Sequence, residues 1–280
     1  MRFRGWLFDP YIRGNYAVLW FRTVDGRVIK TIDRYHPEFL AEPRGCTPES
    51  LCSLLERNPR VRSTEVVERY PSLRRYALKR VIRVKVDSVR CLERVLAHAD
   101  EMDNVKDTYN KGLTQIQWYL IYRDVPPTSL CSVEESEGVL KAIERRDDGG
   151  RIEPPPFKVL MFKLRDSPKI EEVKVYDGVQ RPVAELGGDE EKVLCELKEL
   201  IAEQDPDVLV TRAPHRTTRD IVKRANCYGM DFRFGRDGKM YHGRVILGLN
   251  PFQDTGIAGL VERARFTFSP HACMRGLGVG

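Results

Sequence analysis

A chain of 280 residues, 41% of them hydrophobic, can bury two cores of ordinary size, which excludes a disordered polymer. Its 47 Lys and Arg against 41 Asp and Glu leave a formal charge of +6, a mild basic excess that suits a polyanionic partner without requiring one. Seven scattered cysteines with no C-x-x-C pair speak against a disulfide framework or zinc site; with no apolar signal core in MRFRGWLFDPY and no membrane-length run, the expectation is reduced thiols, a cytoplasmic location and no membrane contact.

Residues 16–33, YAVLWFRTVDGRVIKTID, place Asp25-Gly26 between two β-rich runs, the signal of a hairpin. TPESLCSLL at 47–55 reads as a short helix, with Thr47 as N-cap and Pro48 at the first helical position. KRVIRVKVD at 79–87 alternates as a half-buried strand, with Ile82, Val84 and Val86 on one face. A helix then starts at Ser88, carrying Val89, Leu92, Val95 and Leu96 at helical spacing, and an extended piece follows near Val105. The first half is therefore expected to be α+β. YNKGLTQIQWYLIYR at 109–123 reads either as a packed helix joining two domains or as one that leaves Tyr109, Trp118 or Tyr122 exposed for base stacking. Arg57, Arg60, Arg62, Arg69, Arg74, Arg75, Lys79 and Arg80, with Tyr70 and Tyr76 interleaved, suit phosphate contacts or a solvated face paired with Glu56, Glu65 and Glu68.

ERRDDGGRIEPPP at 144–156 is the most linker-like stretch, and the domain boundary is set near residue 150, giving domains 1–150 and 151–280. Beyond it, strands are expected at 157–164 and 170–176. A helix follows at 189–203 with Asp189 as cap and Val193, Leu194, Leu197, Leu200 and Ile201 as its stripe. A short buried strand at 207–210, a helix at 218–228 closed by Gly229, and two β runs across Arg236-Asp237-Gly238 complete an α/β pattern.

Phe157 to Asp166, FKVLMFKLRD, resembles the first exonuclease motif of family B DNA polymerases, where an apolar strand leads into Asp-x-Glu. EQDPDVLVT at 203–211 and IVKRANCYGMDFRFGRDG at 221–238 resemble the pieces flanking the second motif, and the likeness runs from about Leu19 to about Gly259. It implies an N-terminal α+β domain of the archaeal polymerase type, followed by an RNase H-like (DnaQ-like) exonuclease fold with a mixed sheet flanked by helices. It also implies that the metal-binding carboxylates are gone. Lys163 and Arg165 stand at the Asp-x-Glu positions, Thr217 at the second motif's Asp, and Gly248 at a further Asp. No polymerase palm motif occurs.

Two-metal phosphodiester hydrolysis needs clustered carboxylates around two divalent cations. Cations at those positions repel metals but neutralise phosphate. Asp166, Asp177, Asp205, Asp207 and Asp220 are the carboxylates within sequence reach of a rescue. The reading is thus a protein without cofactor or bound metal, and not a working enzyme, that contacts DNA through Lys163, Arg165, Arg212, Arg216, Arg219, Tyr109 and Trp118. Its expected partners are single-stranded or primed DNA and a polymerase catalytic subunit, in replication or repair. The alternatives are an active 3′–5′ exonuclease with unusual ligands and a protein-interaction subunit of a split polymerase.

Overall fold

The structure is a computed structural model that describes residues 1–70, 78–109, 113–146, 155–166, 169–238 and 241–248. It divides into two compact units. One comprises residues 1–9, 19–31 and 126–280, and the other residues 10–18 and 32–125. The chain passes between them at 9/10, 18/19, 31/32 and 125/126.

The elements are β1 (Arg2–Leu7), β2 (Tyr11–Arg13), β3 (Tyr16–Thr23), β4 (Val28–Arg34), β5 (Glu38–Pro43), α1 (Pro48–Leu55), β6 (Val61–Arg69), β7 (Lys79–Val86), α2 (Val89–Glu101), β8 (Val105–Tyr109) and α3 (Gln115–Arg123). They continue with β9 (Leu130–Ser136), β10 (Val139–Arg145), β11 (Val159–Asp166), β12 (Ile170–Asp177), β13 (Pro182–Gly187), α4 (Glu190–Gln204), β14 (Val208–Thr211), α5 (Pro214–Cys227) and β15 (Val245–Gly248).

In the unit built around residues 32–125, a four-stranded sheet runs β6-β7-β5-β8, with β5 antiparallel to both β7 and β8. Two helices cover it. Leu51 and Leu55 of α1 and Val95 and Ala99 of α2 meet Phe39, Ala41, Ile82, Val84, Val86 and Val105 in one buried cluster. Thr47 caps α1 by accepting from Ser50 N, and Pro48 occupies the first turn, where its missing N–H costs nothing. α3 opens on a capping box between Thr114 and Gln117.

A six-stranded sheet runs β1-β9-β10-β4-β3-β2, and β1 also pairs with β3, so β1, β9, β10, β4 and β3 close into a ring. Closure depends on Gly5: a Cβ at that position would lie 2.8 Å from the Arg22 carbonyl oxygen. Glu137 and Gly138, both at positive φ, turn β9 into β10.

The third sheet runs β13-β12-β11-β14-β15. β11 is antiparallel to β12 and parallel to β14, and β14 is parallel to β15. α4 and α5 lie on one face. Val193, Leu194, Leu197 and Ile201 of α4 and Ile221 and Ala225 of α5 pack on Leu160, Phe162, Val173 and Val175, with Phe232 and Phe234 filling the end of the core. This mixed α/β arrangement is the fold class that the sequence led us to expect.

Three local expectations change. Asp189 sits at the N-cap of α4 but makes no capping bond. α5 begins at Pro214 rather than Thr218, because proline's fixed φ suits the first helical turn. Among the described residues no strand ladder forms across Arg236–Gly238, where the Arg236 N–H donates to His242 O at 2.8 Å. Residues 231–234 belong to no strand, and β15 pairs with β14, its Val245 N–H donating to the Asp207 carbonyl at 2.9 Å. Phe232 and Phe234 are fully buried in the helix-side core, which leaves that run no edge to offer.

Candidate nucleic-acid interface

Alternation along β11 decides where its side chains go. Leu160, Phe162 and Leu164 pack toward α4 and α5, so Lys163 and Arg165 emerge on the opposite face, and both are exposed. The Lys163 ammonium lies 5.4 Å from the centroid of the Tyr176 ring. Arg165 pairs across the strands with Glu171 at 3.0 Å and Glu172 at 3.7 Å. These two cations therefore do not share a pocket with Thr217. The strand position beside Thr217 is Leu164, which lines the same cleft as Thr217 and Arg216. Side chains of a strand alternate between its two faces, so the motif positions read from sequence lie on the face of β11 away from α4 and α5.

α5 carries a dense cationic surface. Arg212 stands just before it, and Arg216, Arg219 and Lys223 follow at helical spacing, all exposed. Asp220 is the single carboxylate among them, 3.6 Å from Arg216 and 3.8 Å from Arg219. The Thr217 backbone N–H donates to Ala213 O, while its half-buried side chain faces the cleft. Gly248 pairs with Thr211 and lies against the turn that starts α5; a Cβ there would sit 3.5 Å from Pro214 Cδ. Thr217 and Gly248 thus lie at the end of the sheet where β11 also ends, and Lys163 and Arg165 share that end but emerge on the face away from α4 and α5.

Of the carboxylates considered for a metal, the Asp166 side chain lies outside the described residues, and Asp177, Asp205 and Asp207 are otherwise engaged. Asp207 is fully buried, and its Oδ2 accepts from Arg22 Nε at 2.8 Å and from Lys158 N at 2.9 Å. Its Oδ1 accepts from Arg236 at 3.0 Å. Asp205, the left-handed C-cap of α4, accepts from Arg236 and Arg244, both at 2.7 Å. Burial alone would raise the Asp205 pKa, but these two guanidiniums outweigh it and hold the carboxyl below its ordinary range. Asp177 accepts from Val179 and Arg181 backbone N–H groups in the turn after β12. Among the described residues no three His, Cys, Asp or Glu side chains are grouped to hold a metal ion. The sequence placed Asp205 and Asp207 among the carboxylates within reach of a metal. The spacing of Arg22, Arg236 and Arg244 gives no hint of this network, which exists only once the chain is folded.

In the other unit Tyr109 is half-buried, and its hydroxyl donates to Glu42, which also accepts from Lys79 at 2.7 Å and Lys106 at 2.9 Å. Tyr109 is therefore a member of a structural cluster. Trp118 is half-buried and lines a cleft of about 150 Å³ with Tyr35, His36, Tyr119 and Tyr122. The two readings of this helix divide along its length. Tyr119 is buried, its hydroxyl donating to Asp33 at 2.8 Å, and burial followed by the nearby Asp33 charge pushes its pKa up. Tyr122 is exposed, with Lys85 and Arg123 over its ring at 5.9 and 5.8 Å. Of the basic cluster in this unit, Lys79 pairs with Glu42 and Arg80 with Glu49; Arg74, Arg75 and Tyr76 lie outside the described residues.

The fold is similar to that of the family B DNA polymerase from the hyperthermophilic archaeon Pyrobaculum calidifontis. The TM-score is 0.74 at 23% identity, over 91% of this chain and 37% of that one. The chain thus spans well under half the length of that polymerase, and the likeness is one of fold: an N-terminal domain followed by an exonuclease-like domain. No protein-family model and no curated protein matches the sequence. No helix among the described residues is long and apolar enough to cross a membrane.

Proposed function

We propose that this chain is a non-catalytic nucleic-acid-binding module, related in build to the N-terminal and exonuclease region of a family B DNA polymerase and acting with a polymerase in replication or repair. The observation that carries the reading is the cationic stripe Arg212, Arg216, Arg219 and Lys223, which has one carboxylate, Asp220, to answer it. Such a stripe attracts a phosphate backbone and releases counterions when it binds. Lys163 and Arg165 add positive charge on the opposite sheet face, and Trp118 offers a ring for stacking in the other unit. Asp205 and Asp207, held by guanidiniums, are poor metal ligands, which supports binding without cleavage.

The test is fluorescence anisotropy with labelled single-stranded and primer–template DNA across a salt series, followed by incubation with Mg²⁺ or Mn²⁺. The expected result is binding that weakens steeply with salt, with the labelled strand recovered at full length. Metal-dependent shortening of the strand, or no binding at low salt, overturns the reading.

A further inference from the structure

We propose that the cleft between α5 and the adjoining ends of β11 and β12 binds the terminal phosphate of a nucleic-acid strand. The proposal rests on the nucleic-acid-binding reading and narrows it to a chemical group.

The cleft encloses about 440 Å³, within the size of ordinary small-ligand sites, about 300–1,000 Å³. Leu164 forms its apolar side, and Arg216, Thr217, Lys223 and Arg224 its polar side. The charges around it are unequally satisfied. Arg224 is committed to the buried carboxylate of Glu190 at 2.6 Å, and Glu190 also accepts from Ile170 N and the Tyr228 hydroxyl, so that pair is neutral and fixed. Arg216 and Arg219 share Asp220 at 3.6 and 3.8 Å, too long for good hydrogen bonds. Lys223 has no ionic partner among the described residues, nor has the Thr217 hydroxyl a hydrogen-bond partner. Arg216 and Lys223 thus line a half-enclosed cleft whose uncommitted acid, Asp220, is shared with Arg219 outside it.

That surplus matches a phosphate monoester, which carries roughly −1.5 to −2 near neutral pH, better than the single charge of an internal phosphodiester. A guanidinium, an ammonium and a hydroxyl donor are the groups that recognise such an oxyanion. Leu164 leaves an apolar surface for the adjoining sugar. A strand ending in phosphate is therefore the ligand, and its unphosphorylated counterpart loses the extra charge the cleft is built to meet.

The experiment uses the full chain and fluorescent short oligothymidylate bearing a 3′-phosphate, a 5′-phosphate or neither, read by anisotropy at low salt. Binding is expected to be about tenfold tighter for a phosphorylated end, the scale of a charge-assisted hydrogen bond. Lys223→Glu and Arg216→Glu, both at exposed helix positions, are expected to remove the preference, while Lys192→Glu on α4 keeps it. Equal affinity for all three strands overturns the proposal and leaves nucleic-acid binding standing. A preference that survives both α5 substitutions, or inorganic phosphate that competes as well as the phosphorylated strand, also overturns it. Absence of binding to any strand removes both readings together.

Discussion

Arg22 and Asp207, 185 positions apart, meet as a buried ion pair: Nε donates to Oδ2 at 2.8 Å, Nη2 lies 2.7 Å from the same oxygen, and both side chains are almost fully enclosed. Arg22 also donates to the Gly26 carbonyl at 2.5 Å, which fixes the guanidinium to its own hairpin turn. Removing one partner of such a pair strands the other charge out of water, and that loss exceeds the net gain from forming the pair. Arg22→Ala is expected to lower unfolding stability by about 3 kcal/mol, seen as a reduced midpoint in denaturant titration. Arg22→Lys should recover only a small part, because a point charge cannot reproduce the two-nitrogen contact. A loss under about 0.5 kcal/mol would mean that Arg236 alone satisfies Asp207.

Glu42 makes stability depend on acid. Burial would raise its pKa, but hydrogen bonds from Lys79, Tyr109 and Lys106 prevail and set it at about 2, against an ordinary 4.5. A depressed carboxyl contributes its full stability above the ordinary value and loses it as pH falls toward the folded one. Thermal unfolding of the wild type should therefore drop between about pH 4.5 and pH 2, and Glu42→Gln should flatten that part of the profile. At neutral pH Glu42→Gln is expected to cost about 2 kcal/mol, the scale of charged hydrogen bonds removed from a buried cluster.

Charge reversal on α5 separates electrostatic binding from stacking. Each of Arg212→Glu, Arg216→Glu and Arg219→Glu is expected to weaken single-stranded DNA binding and to reduce the slope of log affinity against log salt by roughly 0.7 for each phosphate the variant no longer neutralises. Trp118→Ala is expected to weaken binding by about 1–3 kcal/mol with the slope unchanged, since stacking releases no counterions. An unchanged slope in all three α5 variants would move the backbone contact elsewhere on the protein.

Introducing acids at Lys163 and Arg165 tests which face of β11 they occupy. Lys163→Asp with Arg165→Glu places carboxylates on the face away from Thr217, so even the triple variant with Thr217→Asp is expected to show no Mn²⁺-dependent cleavage of a labelled strand. Cleavage by the triple variant would show that the three positions share a site after all.

Backbone patterning carries much of this fold in the open. α4 shows five apolar residues on one stripe, α1 its Thr-Pro start, and the β3–β4 hairpin its Asp-Gly turn, because each is governed by neighbours in sequence. β9 and β10 have a local signal too, Glu137-Gly138 between alternating runs, but it is a faint one because Glu is an uncommon residue at positive φ. The ring closure at Gly5, the pairing of β15 with β14 and the network at Asp207 have none, since each joins residues far apart in the chain. For the site, sequence locates the cations of α5. It groups Lys163 and Arg165 with Thr217 as motif positions, and an apolar run of Val159 to Phe162 leaves open the face on which they emerge.

The ring that β1, β3 and β4 share with β9 and β10 is interrupted in sequence by residues 32–125, and this shapes how the protein is made. The first hairpin leaves the ribosome long before its partners exist. At about 5–20 residues per second, Arg22 waits roughly 10–40 s for Asp207 to be synthesised. During that interval Leu19 and Phe21, fully enclosed in the finished protein, have only β1, with its Phe3 ring, and β4 beside them from the ring strands made so far, and lack β9 and β10. The intervening unit has its own sheet and helices and can fold in the meantime, so the nascent chain carries one finished body and one sticky hairpin, a natural client for a holding chaperone.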